Sequence, residues 1–400
     1  AKLNDDSISA QDALGAEPAD TDEFLVSDAG TLKRVDYSYI KAITQSNFLP
    51  TANPFIINGD MAISQRGTGA TTLVHAAYNS VDRWTQNYTA GTSMIFTGQQ
   101  STTVPTGEGF ASSYKIDCTT AEASLAASSR MFPLMRFEGQ DCQFLKFGST
   151  SAVVFTLAFW VRSNLTGTYQ INMWNNTNST LISNTYAISV ADTWEKKILT
   201  YSGDQSAALT NDNTATGLQI EFVLAGGTTY TGGTMVPSTT TTWPTYAANT
   251  RAANQGVNMA SSTANEWYIT GLQLESGEYT SADLPPFRHE SYGDNLSRCQ
   301  RYYQLVGTAV GGAANTISAY VIPTFWCPMR TTPTAGVEGV LSVNDPAVGN
   351  LLQSSASVTL NSGTAEGCFL SIPNLSGITA GDPIISRFLN SNKYQFNAEL

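Results

Sequence analysis

The sequence is short of charge, of basic runs, of histidine and of long apolar stretches, and each shortage removes a class of function. Charged residues make up 13% of the 400 positions, about half the usual quarter of a soluble globular domain. Ser, Thr, Asn, Gln and Gly carry the polarity instead, which suits an all-β surface or a stable assembly better than a helical cytosolic enzyme. The net charge is −12 and no Lys/Arg run occurs. Phosphate backbones are held by clustered positive charge, so nucleic acid is not an expected partner. No apolar run approaches the roughly 20 residues of a membrane span, so membrane insertion is not expected either. The opening Ala-Lys-Leu-Asn-Asp-Asp has no basic segment followed by an apolar one, the pattern of a signal peptide. The chain therefore reads as made in a cytoplasm and not exported by that route.

Cysteine is sparse and scattered. Cys118, Cys142, Cys299, Cys327 and Cys368 form no CxxC pair, have no nearby histidine and are odd in number, which argues against a zinc site and a disulfide framework. They read as reduced, buried, small apolar residues. The two histidines, His75 and His289, lie far apart and outside any Ser or Cys nucleophile motif. Glycan hydrolysis would need two opposed carboxylates, for which Glu221 and Glu275 are conceivable. With 32 acidic residues some pair always looks suitable, so the chain is not expected to be an enzyme. Gly226-Gly227 and Gly311-Gly312 lack a GxGxxG or GKS/GKT continuation and read as turns, so no cofactor is expected. Asp204, Asn211, Asp212 and Asn213 offer oxygens to calcium, but without the spacing of a calcium loop. They read as solvated, and no metal is expected.

What remains is strongly β. A chain of this length supports two or three cores. Residues 1–50 hold nine acids and four bases and read as an arm. There Phe24-Leu-Val, a turn at Ser27 to Thr31, and Leu32-Lys-Arg-Val-Asp-Tyr form a hairpin, followed by a helical turn at Ser38 to Ala42. A lone hairpin is barely stable in water, so Phe24, Val26, Leu32, Val35 and Tyr37 are expected to dock on a partner or in a threefold bundle.

Beyond a linker bracketed by Pro50 and Pro54, Phe155, Leu157, Phe159 and Val161 alternate with Thr156, Ala158, Trp160 and Arg162, one face plainly core. Leu218, Ile220, Phe222 and Leu224 repeat the pattern. Further strands are predicted at 113–119, 167–174, 194–201 and 266–275, the last with a bulge at Gly271 that reconciles its two phases. Short strands between long polar loops describe a sandwich or jelly roll over 51–288. Pro285-Pro286 ends it. A connector helix follows at 289–303, with Tyr292, Leu296, Cys299 and Tyr303 at helical spacing behind Asp294 as N-cap. Residues 304–400 form a small C-terminal β domain, with strands predicted at 317–325, 336–343, 357–360 and 394–400.

Three ordered groups of residues resemble bacteriophage and prophage tail-fibre or minor tail proteins. The first is Asn53-Pro-Phe-Ile-Ile-Asn-Gly-Asp60-Met-Ala-Ile-Ser-Gln-Arg66-Gly with Val81-Asp82-Arg83-Trp84. The second is Phe155-Thr-Leu-Ala-Phe-Trp-Val-Arg162-Ser, then Trp194-Glu-Lys-Lys, then Tyr268-Ile-Thr-Gly-Leu-Gln-Leu-Glu275-Ser-Gly. The third runs from Pro286-Phe287 through Tyr292-Gly293 to Cys299-Gln300-Arg301-Tyr302-Tyr303, with Pro328-Met-Arg-Thr-Thr-Pro333 beyond, and Asn397-Ala-Glu-Leu closes the sequence. Thr21 to Arg34 is similar to phage proteins as well.

The resemblance implies a carbohydrate-binding-module-like jelly roll on a virion structural protein, synthesised in a bacterial host cytoplasm and usually a homotrimer when it forms a fibre. Its N-terminal arm would anchor to another virion protein, on the tail by preference. A capsid head fibre or decoration protein is the alternative, and a polysaccharide depolymerase a further one. For host glycan the candidate residues are Trp243 and Tyr246 in a Thr-rich loop, Trp174 and Trp160 on outward strand faces, and Asp82-Arg83-Trp84. Each also has a plain packing reading. Arg83 can pair with Asp82 or cover Trp84, and the tryptophans can serve a second packing layer.

Overall fold

The computed structural model of the protein describes residues 18, 19, 21–40, 54–89, 93–337, 341–345, 350–353, 358–375, 378–388 and 393–400. They fall into two compact units. The first holds the described residues of Ala1–Asn53 with Tyr279–Phe287, and the second holds those of Pro54–Glu278 and Arg288–Leu400.

The expected N-terminal hairpin pairs Glu23–Asp28 with Thr31–Asp36, placing Phe24 opposite Val35 and Val26 opposite Lys33. Its two-residue turn has φ of 48° at Ala29 and 84° at Gly30. Positive φ at both positions matches the strands' right-handed twist, and glycine supplies it without strain. Residues 37–40 are helical; the rest of the predicted turn, at 41 and 42, lies outside the described residues.

The second unit is built on a jelly-roll β-sandwich of two antiparallel six-stranded sheets. One sheet runs Thr180–Ile188, Gly167–Asn175, Thr216–Phe222, Arg130–Glu138 and Ala225–Gly226, with Thr85–Thr89 also paired to Arg130–Glu138. The other runs Glu195–Tyr201, Phe155–Ser163, Glu266–Ser276, Ser113–Thr120, Ile95–Ser101 and Thr71–Thr72. The alternation explains the layering. Phe155, Leu157, Phe159 and Val161 are all buried and face Tyr169, Ile171, Met173, Leu218, Ile220 and Phe222 of the opposite sheet in one core. Phe222 sits among Phe159, Trp267 and Trp84, with ring centroids at 5.3, 5.5 and 5.8 Å. Each such side chain contributes roughly 1.5–3 kcal/mol by leaving water. The bulge falls where expected. Pairing slips between Thr270 and Gln273, Gly271 has φ of 62°, and a Cβ there would meet the Phe110 ring at 2.6 Å.

Helix Tyr292–Gln300 follows, but its cap is Ser291, not Asp294. Asp294 N–H donates to Ser291 Oγ at 3.2 Å and the serine hydroxyl donates to the Asp294 carboxylate at 2.6 Å, so Asp294 sits in the first turn and orients the capping hydroxyl.

The C-terminal part has two sheets. A three-stranded one orders Tyr303–Val306, Tyr394–Asn397 and Thr334–Val337. A seven-stranded one orders Asn350–Gln353, Leu341–Asp345, Pro383–Phe388, Thr308–Ala313, Ala319–Pro323, Cys368–Ile372 and Thr359–Gly363. Val321, Leu370, Ile372, Tyr394 and Phe396 fill its core. Gly311-Gly312 is not a turn but lies within Thr308–Ala313. The Tyr320 carbonyl oxygen comes within 1.8 Å of where a Gly311 Cβ would stand, so the residue answers a close backbone approach. Gly226 also lies in a short strand, Ala225–Gly226.

Candidate functional site

Several residues expected at a glycan surface lie inside the protein. Asp82, Arg83 and Trp84 are 1%, 2% and 0% exposed, so they form no surface for a sugar. Asp82 accepts from Gln65 N at 2.9 Å and Gln65 Nε2 at 2.6 Å, and Trp84 Nε1 points at Met61 Sδ, 3.1 Å away. Burial raises the Asp82 pKa, opposed by Arg66 and by the Gln65 hydrogen bonds. Arg83 pairs with neither neighbour. Its guanidinium forms an ion pair with Glu399, lies 3.4 Å over the Tyr302 ring and donates to the Arg136 carbonyl at 2.9 Å. Burial alone would lower its pKa, but Glu399, Tyr302, Tyr78 and Cys299 together outweigh it and hold the group well above its ordinary value.

This cluster joins the sandwich to the C-terminal part. Arg66 reaches Glu399 at 3.2 Å, Tyr78 Oη donates to the Leu400 carbonyl at 2.9 Å, and Arg136 donates to it at 2.6 Å. Nearby, Arg301 and Tyr302 both donate to the buried Glu138, at 2.8–3.0 and 2.6 Å. Buried charges persist only when paired and hydrogen-bonded in this way.

Trp243, expected to be exposed, is 2% exposed. The Thr-rich loop folds back so that its indole donates to Ser202 O at 3.0 Å and abuts Phe147 at 5.1 Å. Trp160 is half-buried on its strand.

Trp174 and Tyr246 are brought together, with ring centroids 4.5 Å apart, and both are half-buried. They stand around Arg251, which lies 5.0 Å from the Trp174 centroid, 5.7 Å from Tyr246 and 4.8 Å from Phe132. Arg251 in turn pairs with the fully buried Glu221. Asn172 donates to Glu221 at 2.9 Å and to the Arg251 carbonyl at 2.9 Å, and Gln170 donates to Asn172 at 2.9 Å. The outer face of this sheet is thus a buried polar network closed by the chain's own arginine. Glu275 is held by Arg288 at 3.1 Å, so each carboxylate considered for hydrolysis already has an arginine partner.

Asp204 is buried too. It accepts from Ser206 N at 3.0 Å, Ser206 Oγ at 2.6 Å and Thr180 Oγ1 at 3.2 Å, so it is not a solvated loop carboxylate. All five cysteines are free thiols, four buried and Cys327 half-buried.

On the hairpin, Phe24, Val26 and Leu32 are 41%, 38% and 57% exposed, while Val35 and Tyr37 are half-buried. Phe24 and Tyr37 have ring centroids 6.0 Å apart. By the register, Phe24, Val26 and Val35 share one face, while the Arg34–Glu23 ion pair, 2.8 Å, lies on the other with Leu25 and Leu32.

The aromatic surface missed by sequence reasoning is elsewhere. Trp326 is 69% exposed and Tyr292 64%, and both line one groove of about 510 Å³ with Leu296, Leu305, Gln65, Gln300 and Lys393. The Trp326 indole is fixed by donating to Leu305 O at 3.2 Å. Tyr292 entered the sequence reading only as one of four residues at helical spacing. Rigid aromatic planes beside amides and a cation suit a ligand with apolar faces and hydroxyl edges.

No protein-family model and no curated protein matches the chain. Among solved structures, it is similar to the enzymatically active domain of bacteriophage CBA120 tailspike protein 4 at 12% identity and TM-score 0.30. That match covers 56% of this chain and 21% of that one, so the chain spans about a fifth of its length. A structure described as CBM4 matches at 11% identity and TM-score 0.28, over 55% of this chain and 97% of the other. The tandem CBM22 domain of Paenibacillus barcinonensis Xyn10C matches at 10% identity and TM-score 0.28, over 88% and 98%. The sandwich described above rests on its own strand order.

Proposed function

We propose that the chain is a structural protein of a tailed-bacteriophage particle, a trimeric tail fibre or tail appendage that docks by its N-terminal hairpin and contacts host glycan with its β domains. The observation that carries the glycan part is the groove in which exposed Trp326 and Tyr292 meet amide side chains and Lys393. Aromatic faces stack on the C–H face of a sugar ring while amides take its hydroxyls. The apolar row on the hairpin supports the docking part, because such a row on a lone hairpin is stabilised by a partner. The particle itself is suggested by the ordered motifs of the sequence.

Adsorption of the purified protein to host cells tests the reading, with Trp326→Ala and Tyr292→Ala expected to lose it. Immunogold labelling of particles is expected on the tail. Labelling confined to the capsid contradicts the tail assignment, and an absence of both adsorption and block of infection contradicts host contact.

A further inference from the structure

A second cavity, of about 370 Å³, lies between the sandwich and the three-stranded sheet, lined among others by Arg66, Tyr78, Asn79, Tyr303, Gly336 and Gln395. Its size falls in the range of roughly 300–1,000 Å³ typical of small-ligand sites. Two of the residues lining it each hold an enclosed polar atom with no hydrogen-bond partner among the described residues, Arg66 Nη1 and Asn79 Oδ1. The Arg66 side chain is 8% exposed, and Nη1 sits 3.6 Å from Asp82 without a hydrogen bond. Asn79 Nδ2 donates to Thr72 O at 2.6 Å, which fixes the amide and leaves its oxygen to accept.

We propose that this cavity binds a ring of a neutral saccharide. One unmet atom only donates and the other only accepts, and a sugar hydroxyl does both. Aromatic wall is supplied by Tyr78 and by Tyr303, whose ring lies 3.7 Å from the Arg66 guanidinium. Neutrality follows from the charges. Among the described residues Arg66 is the one charged residue lining the cavity, and Glu399 at 3.2 Å and Asp82 at 3.6 Å already match it. An acidic sugar would add a third negative charge where two balance the cation.

This deepens the glycan-contact reading and rests on it, but names a site separate from the Trp326 groove. Titration calorimetry of the intact protein with cellobiose, lactose, mannobiose and chitobiose, and with digalacturonic acid as the acidic arm, tests it. A Cβ at Gly336 meets only the Gln395 side chain, at 3.8 Å, so Gly336→Phe fills the cavity without backbone strain. Asn79→Ala removes the acceptor. Each is expected to weaken neutral-saccharide binding by about tenfold or more, the scale of a buried hydrogen bond left unmade, with an unchanged thermal midpoint. Binding lost in Trp326→Ala but kept in both cavity variants overturns this site and leaves the glycan reading standing. Binding of digalacturonic acid alone overturns the neutral assignment. Adsorption to host cells without binding of any free saccharide overturns the cavity and not host contact.

Discussion

Arg83 and Glu399, 316 positions apart in sequence, form an ion pair in which each side chain is 3% exposed. Removing one partner of a buried pair strands the other charge, at roughly 3–5 kcal/mol. Glu399→Gln is therefore expected to shift the urea unfolding midpoint sharply down. The double variant Arg83→Met/Glu399→Leu is expected to lose less than the two single losses summed, and additive losses in a double-mutant cycle would contradict the pairing.

The Arg251–Glu221 pair predicts a second effect of the same kind with an optical reporter. Arg251→Met leaves Glu221 uncompensated and takes the guanidinium from beside Trp174. A loss of roughly 3–5 kcal/mol is expected together with a changed Trp174 emission. An unaltered spectrum would show that the cage does not form.

Hairpin substitutions should separate assembly from folding. Phe24→Ser and Leu32→Ser replace exposed side chains, so stability is expected to move by no more than about 0.5 kcal/mol. Incorporation into particles, measured by quantitative blotting, is expected to fall. Normal incorporation would remove the docking role.

Glu266 supplies a pH dependence. Burial raises its pKa, but hydrogen bonds from Lys115 and Arg162 outweigh it and hold the carboxyl below its ordinary 4.5. A lowered carboxylate pKa means that the unfolded chain binds the proton more tightly. The stabilisation is therefore complete above pH 4.5 and is lost as pH falls through the folded value. Glu266→Gln is expected to cost roughly 0.2–1 kcal/mol at neutral pH, as partly exposed pairs do, and nothing once the carboxyl is protonated. Thermal midpoints across the acid range check this.

Gly311→Ala places a methyl group where the Tyr320 carbonyl oxygen leaves 1.8 Å. Two paired strands must separate, so a loss of about 1–3 kcal/mol is expected, the scale of overpacking. Gly336→Ala, whose added atom has room, serves as the control.

The parts of the fold legible in the sequence are those where one face differs from the other. Phe155 to Arg162 alternates visibly because its inner face is wholly apolar. Arg130–Glu138 escaped because Met131, Phe132, Leu134 and Met135 are buried on both faces, and a strand covered on both sides has no alternation to read. Its Pro133 also argues locally against a strand.

The candidate site was less legible, because burial of charge is decided at long range. Asp82-Arg83-Trp84 looks like surface chemistry, and nothing near it announces Arg66, Tyr302 or Glu399. Trp243 sits in a Thr-rich tract with loop composition, yet the hydrogen bond to Ser202 draws it into the core. Trp326 and Tyr292 were not singled out as surface residues. Neither flanking pattern marks them as exposed, and they meet only because the connector helix and the strand Tyr303–Val306 bring Leu296 and Leu305 to one groove.

The distance along the chain between Arg83 and Glu399 also sets a clock. At roughly 5–20 residues per second on the ribosome, the carboxylate emerges some 15–60 s after the arginine it neutralises. Throughout that interval the nascent sandwich holds a cation without its counter-charge, and interrupted synthesis would leave it so. Locking of this part of the sandwich therefore waits for Glu399, and a product interrupted before it keeps a buried cation without its partner.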